Sequence, residues 1–313
     1  MKRYGVAFIG FFIFLVLLIP INGHCKTWYV KQDGTGDTPT IQAALDSSKT
    51  GDTVLVASGM YYINERIHCS DTDSLAMLAE GGADNTYIIG VSGNGVFDIS
   101  WLSNFSLIGF TFSHCPVNIL HCEHSSIEDN VFNKQSPLFI QTSHYIKIYS
   151  NLIHANNSGI SCIDYCSNVE ICNNVIAYNI SSSGFPEGSG LLFDAGSFTV
   201  HRNIIVSNSY GISSIATTIY LSCNNVWNNT EYNYDLYFFP DPTGTDGNIS
   251  LDPQFCGVNP EISGNFYLQS DSPCAPGNHP DAVECCLIGS YPVGCGSTAA
   301  KEASWDKIKS IYK

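Results

Sequence analysis

The stretch that decides the fold is a six-residue unit that keeps returning: Ile127-Glu128-Asp129-Asn130-Val131-Phe132, Ile148-Tyr149-Ser150-Asn151-Leu152-Ile153, Ile171-Cys172-Asn173-Asn174-Val175-Ile176 and Val200-His201-Arg202-Asn203-Ile204-Ile205. A fifth copy, Leu221-Ser222-Cys223-Asn224-Asn225-Val226-Trp227, reads as having one extra residue, with Asn225 in the place of the repeating asparagine. The asparagines are then 21, 23, 29 and 22 residues apart. Such a period, with β-branched residues alternating over short runs, suits a coil of three short strands per turn. Stacking places equivalent positions one above another at ~4.8 Å. Asn130, Asn151, Asn174, Asn203 and Asn225 are therefore expected to form a ladder, each amide donating to one neighbour and accepting from the other inside a turn that water does not reach.

Working outward, less regular units extend the pattern upstream: Thr53-Val54-Leu55-Val56, Leu75-Ala76-Met77-Leu78 with Thr86-Tyr87-Ile88-Ile89, and Val96-Phe97-Asp98-Ile99 with Leu107-Ile108-Gly109-Phe110-Thr111-Phe112. The expectation is an all-β rod of about nine coils over 53–235, roughly 40 Å long at the strand spacing. A solenoid needs covered ends, because free strand edges pair with other chains. Thr38-Pro39 followed by Ile41-Gln42-Ala43-Ala44-Leu45 supplies an N-cap, a first-turn proline and a short amphipathic helix. That makes 24–52 the amino-terminal lid.

These residues carry a family resemblance. Thr40-Ile41-Gln42-Ala43-Ala44-Leu45, Gly51-Asp52-Thr53-Val54-Leu55-Val56 and Gly59-Met60-Tyr61-Tyr62, together with the Asn-bearing units, resemble right-handed parallel β-helix proteins of the pectin-lyase-like superfamily over roughly residues 28–235. The resemblance implies that fold, and an outer groove on one stacked sheet where polysaccharides are bound or processed. It also likens the Gly, Pro and Cys-rich segment 236–296 to a carboxy-terminal cap over the last coil. The catalytic motifs of the superfamily are not matched. Beyond Arg3 the arginines are only Arg66 and Arg202, and the paired-aspartate, Asp-Pro-His-Glu and methylesterase motifs are absent.

Lys+Arg 13 against Asp+Glu 28 leaves a formal charge of -15, which argues against a nucleic-acid partner because phosphate contacts need clustered cations. Lys2 and Arg3, the apolar run Val6 to Ile19, Pro20 and Gly23 read as a secretory signal over 1–23. Its removal leaves 11 - 28 = -17. The expected location is secreted or at the cell surface. All 13 cysteines lie beyond residue 23 and no CxxC pair occurs, so disulfides are favoured over thiolate metal sites. Local bridges of Cys256 with Cys274, and of Cys285 or Cys286 with Cys295, are the simplest guesses. Five Asn-x-Ser/Thr motifs begin at Asn104, Asn156, Asn179, Asn228 and Asn248. The tail 297–313 places Trp305, Ile308 and Tyr312 on one helical face among lysines, a pattern suited to docking with sorting machinery.

Strand alternation also predicts the outer face. With Ile127, Ile148, Ile171, Val200 and Leu221 inward, one outward column is Ser126, Lys147, Glu170, Thr199 and Tyr220. The other is Glu128, Tyr149, Cys172, His201 and Ser222. A lyase needs a base beside a uronate carboxylate and a cation for the enolate, so Lys147, Glu170, His201 and Arg202 are the catalytic candidates, with calcium as a possible cofactor. Tyr149 and Tyr220 are candidates for stacking on sugar rings. Asp164 and Asp194, near the ends of neighbouring coils, could hold calcium or act as a hydrolase pair, although a one-residue offset separates them. The alternative reading is a non-catalytic adhesin or structural rod.

Overall fold

The computed structural model describes residues 25–295 except 92, 217 and 258. The signal segment 1–23 and the tail 297–313 lie outside the described residues. Three parallel sheets run the length of the rod. The first has nine strands: Thr27–Val30, Thr53–Val56, Ala76–Ala79, Ser106–Ile108, Ser126–Glu128, Lys147–Tyr149, Cys166–Cys172, Gly196–His201 and Thr218–Ser222. The second, from Gly59–Ile63 to Asn225–Trp227, and the third, from Arg66–Ser70 to Tyr232–Leu236, have eight strands each. Chain order cycles through the sheets, giving the about nine coils expected. Ile127, Ile148, Ile171 and Val200 point into the core and are fully buried.

Short strands close into coils only if the corners turn sharply, and left-handed residues do this. Asp129, Ser150, Asn173, Arg202 and Cys223 all have φ between 52° and 59° at the corner between the first and second sheets. Directly after them come the amide-ladder residues Asn130, Asn151, Asn174, Asn203 and Asn224, and Asn248, after the left-handed Gly247, continues the ladder. Each amide oxygen accepts from the backbone N–H and the amide of the preceding member, as Asn174 Oδ1 does from Asn151 at 2.9 and 3.1 Å. The fifth rung is therefore Asn224, not Asn225. Asn225 pairs with Ile204 in the second sheet, and its amide donates to Leu251 O and Cys274 Sγ. A second ladder, Asn156, Asn179, Asn208, Asn229 and Asn233, lines the next corner. Asn156, Asn179 and Asn248 thus belong to buried ladders, whereas Asn104 and Asn228 are the exposed glycosylation-type asparagines.

The lid helix is Ile41–Ser47, with Ile41, Ala44 and Leu45 buried over the first coil. Its N-cap is Thr40, whose hydroxyl accepts from Ala43 N at 3.1 Å. Thr38, the residue expected in that role, instead bridges to Val30. The Gln42 amide exchanges two 2.9 Å hydrogen bonds with the backbone of His68. It satisfies the free edge of strand Arg66–Ser70 as a neighbouring strand would.

The Cys-rich segment lies along the outer face of the second sheet. Phe255, Phe266, Leu268, Cys274 and Ile288 bury Leu152, Val175, Ala177, Ile204 and Val206 in a second apolar cluster. The segment therefore serves as a strap along the rod. Its disulfides are Cys223–Cys285 and Cys256–Cys295, and the guessed partner Cys274 is a buried free thiol. Gly247 turns at φ 73°, and a Cβ there would meet the sulfurs of Cys285 and Cys223 at 2.7 and 3.0 Å. No described helix is long and apolar enough to cross a membrane.

Candidate functional site

The register of the first sheet places Ser126, Lys147, Glu170, Thr199 and Tyr220 in one outward column and Glu128, Tyr149, Cys172, His201 and Ser222 in the other. Where the columns adjoin, four side chains meet. Lys147 Nζ lies 3.5 Å from Glu170 Oε2, and His201 Nε2 lies 3.1 Å from Glu170 Oε1. Arg202 Nε donates to His201 Nδ1 at 3.3 Å. That bond fixes the imidazole tautomer, because Nδ1 must accept and Nε2–H is left to donate to Glu170. Arg202 reaches the cluster from the left-handed corner, where its carbonyl accepts from Gly289 of the strap at 2.7 Å.

Partial burial pushes the Glu170 carboxyl up, but the His201 hydrogen bond and the nearby Lys147 ammonium outweigh it and hold it below the usual carboxylate range. Glu170 is therefore an ionised acceptor at neutral pH. Burial, helped by Glu170, pushes the neighbouring Cys172 thiol up to about 11. Glu170, Cys172 and His201 form the one group of three potential metal ligands within reach of each other among the described residues. Their oxygen, sulfur and nitrogen donors suit a zinc-like ion, and Lys147 and Arg202 alongside oppose any added cation.

The cluster borders a groove of about 320 Å³ lined by His124, Ser126, Tyr145, Lys147, Asn168 and Glu170. Three of these were not legible as site residues: His124 and Tyr145 stand at the corner just before the sheet, and Asn168 lies early in strand Cys166–Cys172. Extending the repeat three residues upstream, Glu123-His124-Ser125-Ser126, His144-Tyr145-Ile146-Lys147 and Ser167-Asn168-Val169-Glu170 align as one column.

The other candidates stand apart from this cluster. Tyr149 is half-buried, and its hydroxyl makes a short hydrogen bond to Glu128 Oε2; burial and that carboxylate push its ionisation far up. Tyr220 is 68% exposed, two coils beyond Glu170 in the same column. Asp164 accepts from Gln141 Nε2 at 2.6 Å. Cys162 pairs with Phe193, which sets Asp194 level with Ile163 and keeps the offset from Asp164. Two carboxylates supply at most four of the six to eight oxygens that calcium takes, so an ion there would draw most of its ligands from water.

Residues 83–229 match the family described as the right-handed beta helix region. No curated protein matches the sequence. Among solved structures, pectate lyase Pel9A is similar at 12% identity, covering 86% of this chain and 96% of that one, with a TM-score of 0.44. A pectin methylesterase from Aspergillus niger is similar at 14% identity over 77% and 93% of the two chains, with a TM-score of 0.33. A PL6 family alginate lyase, AlyGC, is similar at 10% over 86% and 57%, with a TM-score of 0.28. At such values the likeness is confined to general shape. The stacked coils, the lid helix and the family match over 83–229 give this chain the fold of a right-handed parallel β-helix.

Proposed function

We propose that the protein binds an acidic extracellular or cell-surface polysaccharide in the groove beside Lys147 and Glu170, and that lyase chemistry is the processing step this cluster suits best. The observation that carries the reading is the convergence of Lys147, Glu170, His201 and Arg202 in one contact network at a groove. Removing the proton beside a uronate carboxylate calls for an ionised base, the role Glu170 suits, and for cations near the enolate, the role of Lys147 and Arg202. His201 holds the Glu170 carboxylate in place through Nε2–H. A paired-carboxylate hydrolase instead needs one carboxylic acid kept protonated at neutral pH, and the lowered Glu170 does not supply it. Calcium enters the proposal through Asp164 and Asp194, and sugar stacking through Tyr149 and Tyr220. Export is part of it, supported by the 1–23 signal pattern and by two disulfides, which persist in oxidising compartments. The tail 297–313 is assigned to docking with sorting machinery.

The test is an assay of the purified protein on uronate and neutral polysaccharides, with and without calcium, following unsaturated-product absorbance and new reducing ends. Absorbance that disappears in Glu170→Gln and Lys147→Ala supports the lyase. Reducing ends without absorbance point to a hydrolase and to Asp164 with Asp194. Silence in both channels overturns processing and leaves the second reading, a non-catalytic rod. That reading is favoured by one observation: Lys147, 65% exposed, and Glu170 are directly paired across strands, as ion pairs on solvated sheet faces are.

A further inference from the structure

Two regularities of the first sheet bring three different donor atoms together. Glu170 and Cys172 stand two apart on strand Cys166–Cys172, so strand alternation turns both outward, and His201 is the direct cross-strand partner of Cys172 on the next coil. Backbone register, not a loop, therefore sets the triangle. Its donor atoms, a carboxylate oxygen, Sγ and a ring nitrogen, all lie within 4.8 Å of one another. On a tetrahedral zinc, an oxygen and a nitrogen at ~2.0 Å stand ~3.3 Å apart, and a nitrogen and a thiolate at ~2.3 Å stand ~3.6 Å apart. His201 Nε2 and Glu170 Oε1, 3.1 Å apart, are already near that spacing. The sulfur has no more than about 1 Å to move, within the reach of a side-chain rotation.

Lys147 and Arg202 decide which ion enters. Lys147 Nζ lies 3.5 Å from Glu170 Oε2, the oxygen that His201 does not use, and Arg202 Nε donates to His201 Nδ1 at 3.3 Å. Their charges penalise every cation alike. Calcium takes roughly six to eight oxygens and finds one carboxylate here, so nothing offsets that penalty. A thiophilic ion gains the Cys172 thiolate, whose negative charge appears with the ion and cancels half of its own. The two cations thus act as a filter against hard ions.

We propose that Glu170 Oε1, Cys172 Sγ and His201 Nε2 form a site for a single zinc ion, with a fourth position open to solvent. Loading moves protons and no electrons. The Cys172 proton leaves to solvent as Sγ bonds the metal; the proton on His201 Nε2 gives way to the metal bond, and Nδ1 takes one up, so the ring stays neutral. Nδ1 then no longer accepts, and Arg202 has to release it. The site stands on these three side chains and needs no sugar in the groove. Its consequence rests on the lyase reading: the ion takes the Glu170 oxygen that serves there as the base, so the loaded protein is silenced.

The experiment is titration of the intact, metal-free protein with Co2+ as a spectroscopic stand-in for Zn2+, without polysaccharide, followed by displacement with Zn2+. The expected result is a thiolate-to-cobalt charge-transfer band that saturates at one ion per chain, disappears on adding Zn2+ and is unmoved by excess calcium. Cys172→Ser is expected to lose the band. His201→Ala should weaken binding at least about tenfold, while Arg202→Ala, which frees Nδ1, should tighten it about tenfold. A band retained in Cys172→Ser places the ion on the exposed thiols Cys25 or Cys286 and overturns the site, as does a parent with no band. Weaker binding in Arg202→Ala overturns the filter. With the band present, uronate cleavage that continues in Zn2+ overturns the silencing alone, and a protein with no cleavage to silence overturns the lyase reading and leaves the site standing.

Discussion

Lowering the pH should loosen the strap, and His154 sets by how much. This histidine lies on the outer face of the second sheet, 8% exposed, edge-on to Phe266 of the strap at 5.3 Å, with Nδ1 buried and without a hydrogen-bond partner. Burial pushes its ionisation down from 6.5 to about 4, with a smaller contribution from Lys134. When the strap lifts, the imidazole meets water and its affinity for protons returns. Between pH 6.5 and about 4 the lifted form takes up a proton that the closed form refuses, so closure is at full strength above pH 6.5 and weakens as the pH falls. Each pH unit is 1.36 kcal/mol, so the loss amounts to about 3 kcal/mol, an increase of about 300-fold in opening. Hydrogen–deuterium exchange of peptides covering 264–275, corrected for intrinsic rates, reads that opening directly. Carboxylates elsewhere also titrate, so the comparison is with His154→Leu, which fills the site without a titrating group. The variant is expected to lose most of the pH dependence and to match or exceed the parent at pH 7.5. Parent and variant exchanging with the same pH profile would refute the reasoning.

Other outcomes follow from the ladders, the thiols and the cross-links. Asn174→Ala strands the Asn151 N–H and removes one bond each from the Asn151 amide, Ile148 O and Cys172 O, while the Asn151 amide keeps Ile127 O and Tyr149 O and Cys172 O keeps Ser150 N–H; at 1–3 kcal/mol for a stranded buried group, chemical denaturation should report a loss of about 2 kcal/mol. Gly190→Ala should also destabilise, since the new Cβ would sit 2.9 Å from Gly211 O and from the amide of Asn208, and a lower melting temperature than the parent's checks it. Of the nine free cysteines, native alkylation with mass spectrometry should modify Cys25 and Cys286 quickly, Cys172 slowly, and the six buried thiols only after unfolding. Cys223→Ser with Cys285→Ser releases a closure of 62 residues, worth about 4 kcal/mol by chain entropy, and should raise exchange over the strap before the coils melt.

Much of this architecture was legible because the repeat states it twice, in inward aliphatics and in corner asparagines. The outward columns followed from alternation alone, and the register places Lys147 beside Glu170 as that rule requires. The slip at the fifth copy has a simple cause. Leu221-Ser222-Cys223-Asn224-Asn225-Val226 is a regular six-residue unit whose usual apolar fifth place holds Asn225, made tolerable by Leu251 and Cys274. The second ladder stands five residues after the first, as Asn156 after Asn151 and Asn179 after Asn174, and could have been counted. The strap's position had a signal as well. Leu152–His154, Val175–Ala177 and Ile204–Val206 are buried on both faces, whereas Gly59–Ile63 alternates with exposed residues. Disulfide pairing was not legible, because it depends on the strap's return to Cys223. His124 and Tyr145 were hidden for another reason: they precede the repeating unit, at left-handed positions that obey no strand alternation.

The amide ladders also make the rod tolerant of change in its length. Every interior rung presents the same acceptor upward and the same donors downward, so the cross-section closes whichever rung comes next. A deletion that removes one whole coil between Asn130 and Asn174 brings those two asparagines into the contact each now makes with Asn151. Heredity can then lengthen or shorten such a molecule in steps of one turn while its lid, its core and its strap keep their own chemistry. What changes at each step is the length of surface a ligand can cover.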